Sequence, residues 1–344
     1  MVNLNIKAMR YLSAEDFRTL TAVEMGSRNH EVVPTNMINQ IAKIRGGSCT
    51  KSLSVLFMHK LIAKVPHISY EGYRLTYAGY DYLALKALSK RASVYSVGNQ
   101  IGVGKESDVY VVGDQKGKQY ILKIHRLGRI SFRSVKNNRD YLRNRKTGSW
   151  QYLSRLAATK EFAFMKILHE HGFPVPAPID HSRHCIIMEM IDAFPLRAVT
   201  DIRDPPALYQ TLMDIIVRFA RNGLIHGDFN EFNIIVREDG TAVVIDFPQM
   251  VSTSHPDAQF YFDRDVQCIV QYFEKNYQYK GDVPNFEDIS KMEKENNLDI
   301  MIEASGFNKK QSKELEKYRQ EEEKRKENGD DLSDNYEEEE EEKE

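Results

Sequence analysis

Cysteine is scarce in this chain. There are three in 344 residues, Cys49, Cys185 and Cys268, far apart and without the close pairing of a zinc site. A disulfide scaffold is excluded, and unpaired thiols in a reducing compartment are expected. Long apolar runs are missing too. Hydrophobic residues make up 41% of the chain, yet none of their runs approaches the roughly 20 residues of a membrane span. The opening Met1-Val2-Asn3-Leu4-Asn5-Ile6-Lys7 lacks the apolar core and cleavage site of a signal peptide. These absences point to a cytoplasmic protein with no membrane partner, and leave passage through the nucleus open.

The net charge of −2 is the sum of opposite extremes. Residues 123–160 hold eleven Lys or Arg against one acid, Asp140, a balance of +10. Residues 327–344 hold eleven Asp or Glu against Lys343, a balance of −10. The first points to a polyanion partner, the second to a disordered tail that cannot bury a core. Within the basic block, Arg129 to Ser149 lacks apolar periodicity and reads as a long insert. Arg133, Lys136, Arg139, Arg143, Arg145 and Lys146, with Tyr141 and Trp150 interleaved, suit phosphate contact and base stacking on RNA. The plainer reading is a solvated loop with no partner.

Residues 226 to 247 carry the most chemistry. His226-Gly227-Asp228 follows a helix-like apolar run, Asn233 comes five residues later, and Asp246 thirteen beyond that, after β-branched Val243-Val244-Ile245. Phosphoryl transfer from ATP needs a carboxylate to orient the incoming hydroxyl and two oxygen ligands for Mg²⁺. Asp228 fits the first role, Asn233 and Asp246 the second. Loop and strand-end aspartates often just cap turns, so the joint spacing carries the reading.

The rest of such a site lies upstream. Two strands flank Gly102-Val103-Gly104-Lys105-Glu106-Ser107, a glycine turn that lets backbone N–H groups approach phosphate. A third strand, Tyr120 to Ile124, carries Lys123 among apolar residues, where a kinase grips the α/β-phosphates; a surface Lys on an edge strand is the alternative. The anionic partner for Lys123 is expected on the helix Leu156 to His169, at Glu161, which otherwise sits on a solvated face. The strand Cys185 to Ile191 is placed to present backbone to adenine, with Met188 bordering the pocket and the Glu189 carbonyl and Ile191 amide facing the base.

Gly102 to Asp108, Lys123-Ile124-His125-Arg126-Leu127-Gly128-Arg129, His226 to Asn233 and Ile245-Asp246-Phe247-Pro248-Gln249-Met250 together closely resemble the RIO atypical serine/threonine kinases. The resemblance covers roughly residues 1 to 310, and it implies the eukaryotic winged-helix-bearing subfamily, the second RIO type. Against ordinary protein kinases the third loop glycine is replaced by Ser107, Asp-Phe-Gly reads Asp246-Phe247-Pro248, and no Ala-Pro-Glu follows. The next helix-like run is placed at Asp263, so the peptide-docking lobe and activation loop are expected to be missing. What the resemblance implies is an ATPase-like cycle, with autophosphorylation or an aspartyl-phosphate on Asp246. It also implies work on precursors of the small ribosomal subunit, with rRNA and ribosomal or assembly proteins as partners.

The fold expected is α+β: an N-terminal winged helix-turn-helix over residues 1–92, then a truncated bilobal protein-kinase-like domain over 93–285. Its N-lobe spans about 93–191 and its C-lobe about 192–285; a partly helical, then disordered acidic segment fills 286–344. In the first unit Ser13-Ala14-Glu15-Asp16 reads as a capping box. Helices follow from Thr35 and, after a break at Gly46-Gly47, from Thr50. Ile62 to Val65 and Tyr70 to Leu75 alternate like a two-stranded wing, and Thr76 opens a last helix. This unit carries thirteen Lys or Arg against six acids over residues 1–91. The third helix holds Lys51 and is followed by Lys60, but lacks an Arg/Asn/Gln cluster, so specific duplex DNA reading is not expected. Further helix is expected at Ile300 to Phe307 and Lys313 to Lys326. Two other readings compete: a small-molecule kinase of the aminoglycoside or choline type, which needs a large C-terminal helical subdomain, and a winged-helix regulator with an inactive kinase-like domain, which the intact Lys123, Asp228, Asn233 and Asp246 disfavour.

Overall fold

The computed structural model describes residues 4, 6–65, 70–104, 106–127, 150–292, 294–304 and 315–318. Lys105, the insert residues Arg129, Arg133, Lys136, Arg139, Tyr141, Arg143, Arg145 and Lys146, and the acidic run lie outside them.

Ser13 starts α1 (Ala14–Gly26): its hydroxyl accepts from the Asp16 amide while the Asp16 carboxylate accepts from the Ser13 amide. Two donors that a helix start leaves open are thereby satisfied. After β1 (Val33–Pro34), α2 (Thr35–Ala42) ends at Lys43 in the left-handed region, φ +50°. That residue, not the glycine pair, makes the break. Accordingly α3 (Gly46–Met58) begins at Gly46 rather than Thr50. β2 (Ile62–Lys64) and β3 (Gly72–Leu75) form the wing, in the antiparallel order β1-β3-β2. Thr76 caps α4 (Tyr77–Lys90) by accepting from the Gly79 amide.

Five antiparallel strands build the next layer: β4 (Ser96–Val103), β5 (Ser107–Gly113), β6 (Gln119–His125), β7 (Pro178–Ser182) and β8 (Cys185–Glu189), ordered β4-β5-β6-β8-β7. Side chains alternate across a sheet, and both faces are covered. Tyr110, Val112, Leu122, Ile124, Cys185 and Ile187 pack on Ala84, Leu85 and Leu88 of α4. The opposite phase, with Ile121, Ile186 and Met188, meets Ala158, Phe164 and Met165 of α5 (Trp150–Glu170). The last helix of the winged unit is thus also a layer of the kinase-like N-lobe. Burial at about 1.5–3 kcal/mol per large apolar side chain makes that junction an extension of the core.

This packing corrects the RNA-stacking role expected of Trp150. Its ring is buried, 3.9 Å from the Tyr77 ring centroid and edge-on to Tyr80. Nor is the whole basic block on the surface, because Lys123, Arg126 and Lys160 are buried and paired within the protein.

Below the sheet, β9 (Phe194–Pro195), α6 (Pro205–Arg221), β10 (Leu224–Ile225), β11 (Ile234–Val236), β12 (Ala242–Val244), β13 (Val251–Ser252) and α7 (Ala258–Tyr277) form the C-lobe. Leu208, Leu212, Ile215, Ile216 and Phe219 make the buried stripe of α6, against Phe262, Ile269 and Phe273 of α7. Helix α7 starts at Ala258, five residues before the expected Asp263, so the stretch between Pro248 and that helix is shorter still. Two short helices come next, α8 (Phe286–Ser290) and α9 (Leu298–Ala304), the latter slightly ahead of the expected Ile300 to Phe307. Of the expected helix from Lys313 to Lys326, Leu315 to Tyr318 are described and helical, with Leu315 buried against Leu127, Leu156 and Ala157. Among the described residues no large C-terminal helical subdomain exists and no helix is long and apolar enough to cross a membrane.

Candidate active site

Lys123 lies on β6, the middle strand of five, not on an edge. Its phase aims it at α5, where Nζ donates to Glu161 Oε1 at 2.7 Å and to Asp246 Oδ1 at 2.9 Å. Burial opposes the ammonium charge, but Asp246 and Glu161 outweigh it and hold the Lys123 pKa above the ordinary lysine value. For Glu161 burial favours the neutral acid, yet Lys123 and the contact of His125 Nε2, at 2.7 Å, bring it down to about 2. Both groups are therefore charged at neutral pH. Asp246 is the open member, its side chain 41% exposed.

A hairpin explains the spacing of Asn233 and Asp246. β11 pairs antiparallel with β12, Ile234 opposite Val244, so residues just before the first strand and just after the second share one end. The Ile245 amide closes it on the Asn233 carbonyl at 2.9 Å. Asp246 has φ +70°, a left-handed conformation that costs an L-residue roughly 1–2 kcal/mol. Such strain persists only where surrounding contacts hold it, here the pairing with Lys123.

The loop before the hairpin is tied to itself and to α7. Asn230 Nδ2 donates to Asp228 Oδ1 at 3.0 Å, and Asn233 Nδ2 to Asp228 Oδ2 at 3.0 Å and to its carbonyl at 2.9 Å. Beneath it, buried Asp265 accepts from the Gly227 amide at 2.7 Å and the Phe229 amide at 2.9 Å, while Arg264 donates to the Gly227 carbonyl. Burial pushes Asp265 up to about 7. The sequence reading missed this residue. Its signal was an Asp inside the apolar stripe of Phe262, Val266 and Ile269. His226 is a core residue: its ring sits among Phe219, Phe229 and Phe247, and burial lowers its pKa to about 4.

The glycine turn closes between β4 and β5, where the Gly104 amide donates to the Ser107 carbonyl at 2.7 Å. Gly102 lies across from Val109, Val103 from Asp108, and the Glu106 carbonyl accepts from the Arg126 amide. Lys105 is outside the described residues. At the other end of the sheet β8 stops at Glu189, with Met188 buried and Ile191 just beyond the strand. Glu189 is locked to Ala177 by two bonds, its amide to the Ala177 carbonyl and its carboxylate from the Ala177 amide.

Does this set suit a divalent cation? Because the Asn233 amide nitrogen is committed to Asp228, its Oδ1 turns away. Asp246 keeps Oδ2 beyond the Lys123 pairing. Two hard oxygens at one hairpin end fit Mg²⁺, which keeps its remaining positions for phosphate and water. Among the described residues no three His, Cys, Asp or Glu side chains converge as a metal cage.

A charged Lys, its buried Glu, a strained Asp and an amide-held Asp together suit phosphoryl transfer. Family models sharpen this: the RIO domain matches residues 108–286, and the Rio2 N-terminal domain matches residues 9–91. The chain belongs to the Rio2 branch of the RIO kinases. It is 52% identical to the serine/threonine-protein kinase rio2 of Dictyostelium discoideum over 92% of this chain and 60% of that protein. For RIO2 of Saccharomyces cerevisiae the figures are 49%, 90% and 78%. The chain thus spans well under the full length of the Dictyostelium relative. A Rio2 kinase from Chaetomium thermophilum, solved as an ADP/Mg²⁺–phosphoaspartate complex, matches with a TM-score of 0.85 and 54% identity, over 94% of this chain and 99% of that one.

Proposed function

We propose that this Rio2 chain is an ATP-dependent phosphotransferase that passes the γ-phosphoryl group of ATP to Asp246 and then to water. The observation that carries this is the bridge from Lys123 to both Glu161 and Asp246, which sets an exposed carboxylate beside a permanently charged ammonium. Lys123 draws the nucleotide phosphates toward Asp246. The glycine turn covers them with backbone amides, and the β8 end receives the base. Bound Mg²⁺, held by Asn233 and Asp246, would neutralise charge on the phosphate oxygens. A carboxylate oxygen of Asp246 attacks the γ-phosphorus while the bond to the β-phosphate oxygen breaks and ADP leaves with the electron pair. Asp228 then orients the water that cleaves the aspartyl-phosphate, taking its proton. A Ser or Thr hydroxyl replaces that water if the protein phosphorylates itself.

The cellular reading proposed is a cytoplasmic enzyme acting on precursors of the small ribosomal subunit in rRNA processing. Exposed Lys51, His59 and Lys60 on and after α3 support an RNA-rich partner. The test is single-turnover ATP hydrolysis with and without such particles, with the labelled residue mapped. Hydrolysis altered by particles, with label on Asp246, is expected; particles without any effect would remove the ribosomal assignment.

A further inference from the structure

Ordinary kinases open a long activation loop after the metal-binding Asp. Here the equivalent segment, Asp246 to Met250, is short and pinned at nearly every residue. Asp246 pairs with Lys123, Phe247 and Met250 are buried, and the Met250 carbonyl accepts from the buried Lys160 Nζ at 2.8 Å, one residue from Glu161. On the C-lobe side the Gln249 backbone presses on Gly227. At φ +77° that glycine sits where L side chains are strained, and a Cβ would stand a tight 3.0 Å from the Gln249 carbonyl oxygen. The Gln249 side chain then reaches Asp228, with Nε2 donating to Oδ2 at 3.2 Å. A carboxylate only accepts, so the amide must turn its NH₂ to it.

Asp228 therefore has carboxamide donors on both oxygens: Asn230 on Oδ1, and Asn233 and Gln249 on Oδ2. The first two belong to the loop of Asp228 itself and move with it. Gln249 comes from the segment that carries Asp246. It is the tie between the carboxylate that takes phosphate and the carboxylate that orients the attacking group.

We propose that Gln249 is a positioning residue, whose carboxamide fixes the rotation of the Asp228 carboxylate relative to Asp246 and so sets the rate of phosphoryl transfer, hydrolysis included. The inference rests on the phosphotransfer reading above and goes beyond it by naming what replaces the activation loop.

The test uses the full chain with Gln249→Leu and Gln249→Glu. Leucine keeps the bulk and removes the donor. Its single-turnover rate should fall by about 10–100-fold, as small misplacements of catalytic groups do, while the nucleotide dissociation constant stays within about twofold. Glutamate places a second carboxylate against Asp228. Two such groups resist joint ionisation, and a protonated Glu can donate where the amide did. The Gln249→Glu protein should thus be slow at alkaline pH and regain rate as pH is lowered, a trend the parent does not share. A Gln249→Leu protein with the parent rate, or one losing nucleotide affinity and thermal stability in step with rate, would overturn the positioning role. Turnover absent from the parent itself would instead overturn the phosphotransfer reading, and this role with it.

Discussion

Two buried charge clusters lie on opposite faces of the same sheet, three residues apart along the chain. On the α5 face Lys123 meets Glu161 and Asp246, and His125 touches the other oxygen of Glu161. On the α4 face Arg126 grips Asp81 with two bonds of 2.6 and 2.8 Å and Asp108 with one of 3.0 Å, while His184 Nε2 lies 2.7 Å from Asp81. All four members of the second cluster are at most 1% exposed, so it is closed. The first has one member in reach of solvent, Asp246, in a strained backbone conformation. Charge buried and ion-paired within the fold holds the winged unit against the N-lobe. Charge left partly open, with an oxygen to spare, is available for chemistry.

The largest expected effect tests the open cluster. Asp246→Ala should abolish turnover and any phosphorylated species, while nucleotide affinity, read by equilibrium titration, falls less because Lys123 and the β8 end remain. Asp228→Ala should slow turnover by roughly 10²–10⁴-fold with ATP still bound. Equal turnover in the parent and the Asp246→Ala protein would remove the distinction between the clusters.

Opening the closed cluster should cost stability. Arg126→Met leaves Asp81 and Asp108 buried without their cation, a loss on the order of 3–5 kcal/mol by denaturant titration. Burial opposes ionisation of Asp81, but Arg126 and His184 outweigh it and keep its pKa low. Its contribution is thus present above the ordinary 3.8 and lost as pH falls through the folded value. A stability unchanged by Arg126→Met would show that the junction does not depend on this pairing.

A smaller effect with the opposite pH sign belongs to Asp265. Its folded pKa of about 7 exceeds the ordinary 3.8, so the folded protein keeps a proton that the unfolded chain has released. Stability from this group is full below 3.8 and declines as pH rises toward 7. Asp265→Asn removes that slope. It also offers a single acceptor oxygen to the two backbone amides of Gly227 and Phe229, at a cost of about 1–3 kcal/mol for the one left unmade. Thermal unfolding across this pH range checks both; a slope that survives in the variant would place its origin elsewhere.

How much of this was legible in the sequence follows the same division. Lys123, Asp228, Asn233 and Asp246 stood out because phosphoryl transfer constrains spacing, and the hairpin β11–β12 turns that spacing into proximity. The winged unit was legible through caps and alternation. Arg126, Lys160 and Trp150 were misread with the basic block because a charge count carries no burial. The available signal was phase: Asp108 shares the inward alternation of Tyr110 and Val112, and Asp265 the apolar stripe of α7. Gln249 lay within a recognised motif but had no role until the fold set it against Asp228.

In the proposed cycle Asp246, charge-paired with Lys123, receives the phosphoryl group. Incubating the full chain with γ-labelled ATP and Mg²⁺, then treating the labelled protein with hydroxylamine and mapping the site, reads out the acceptor. Label released by hydroxylamine, mapped to Asp246 and absent from Asp246→Ala, is the result predicted. Label that survives hydroxylamine and maps to a Ser or Thr would contradict it.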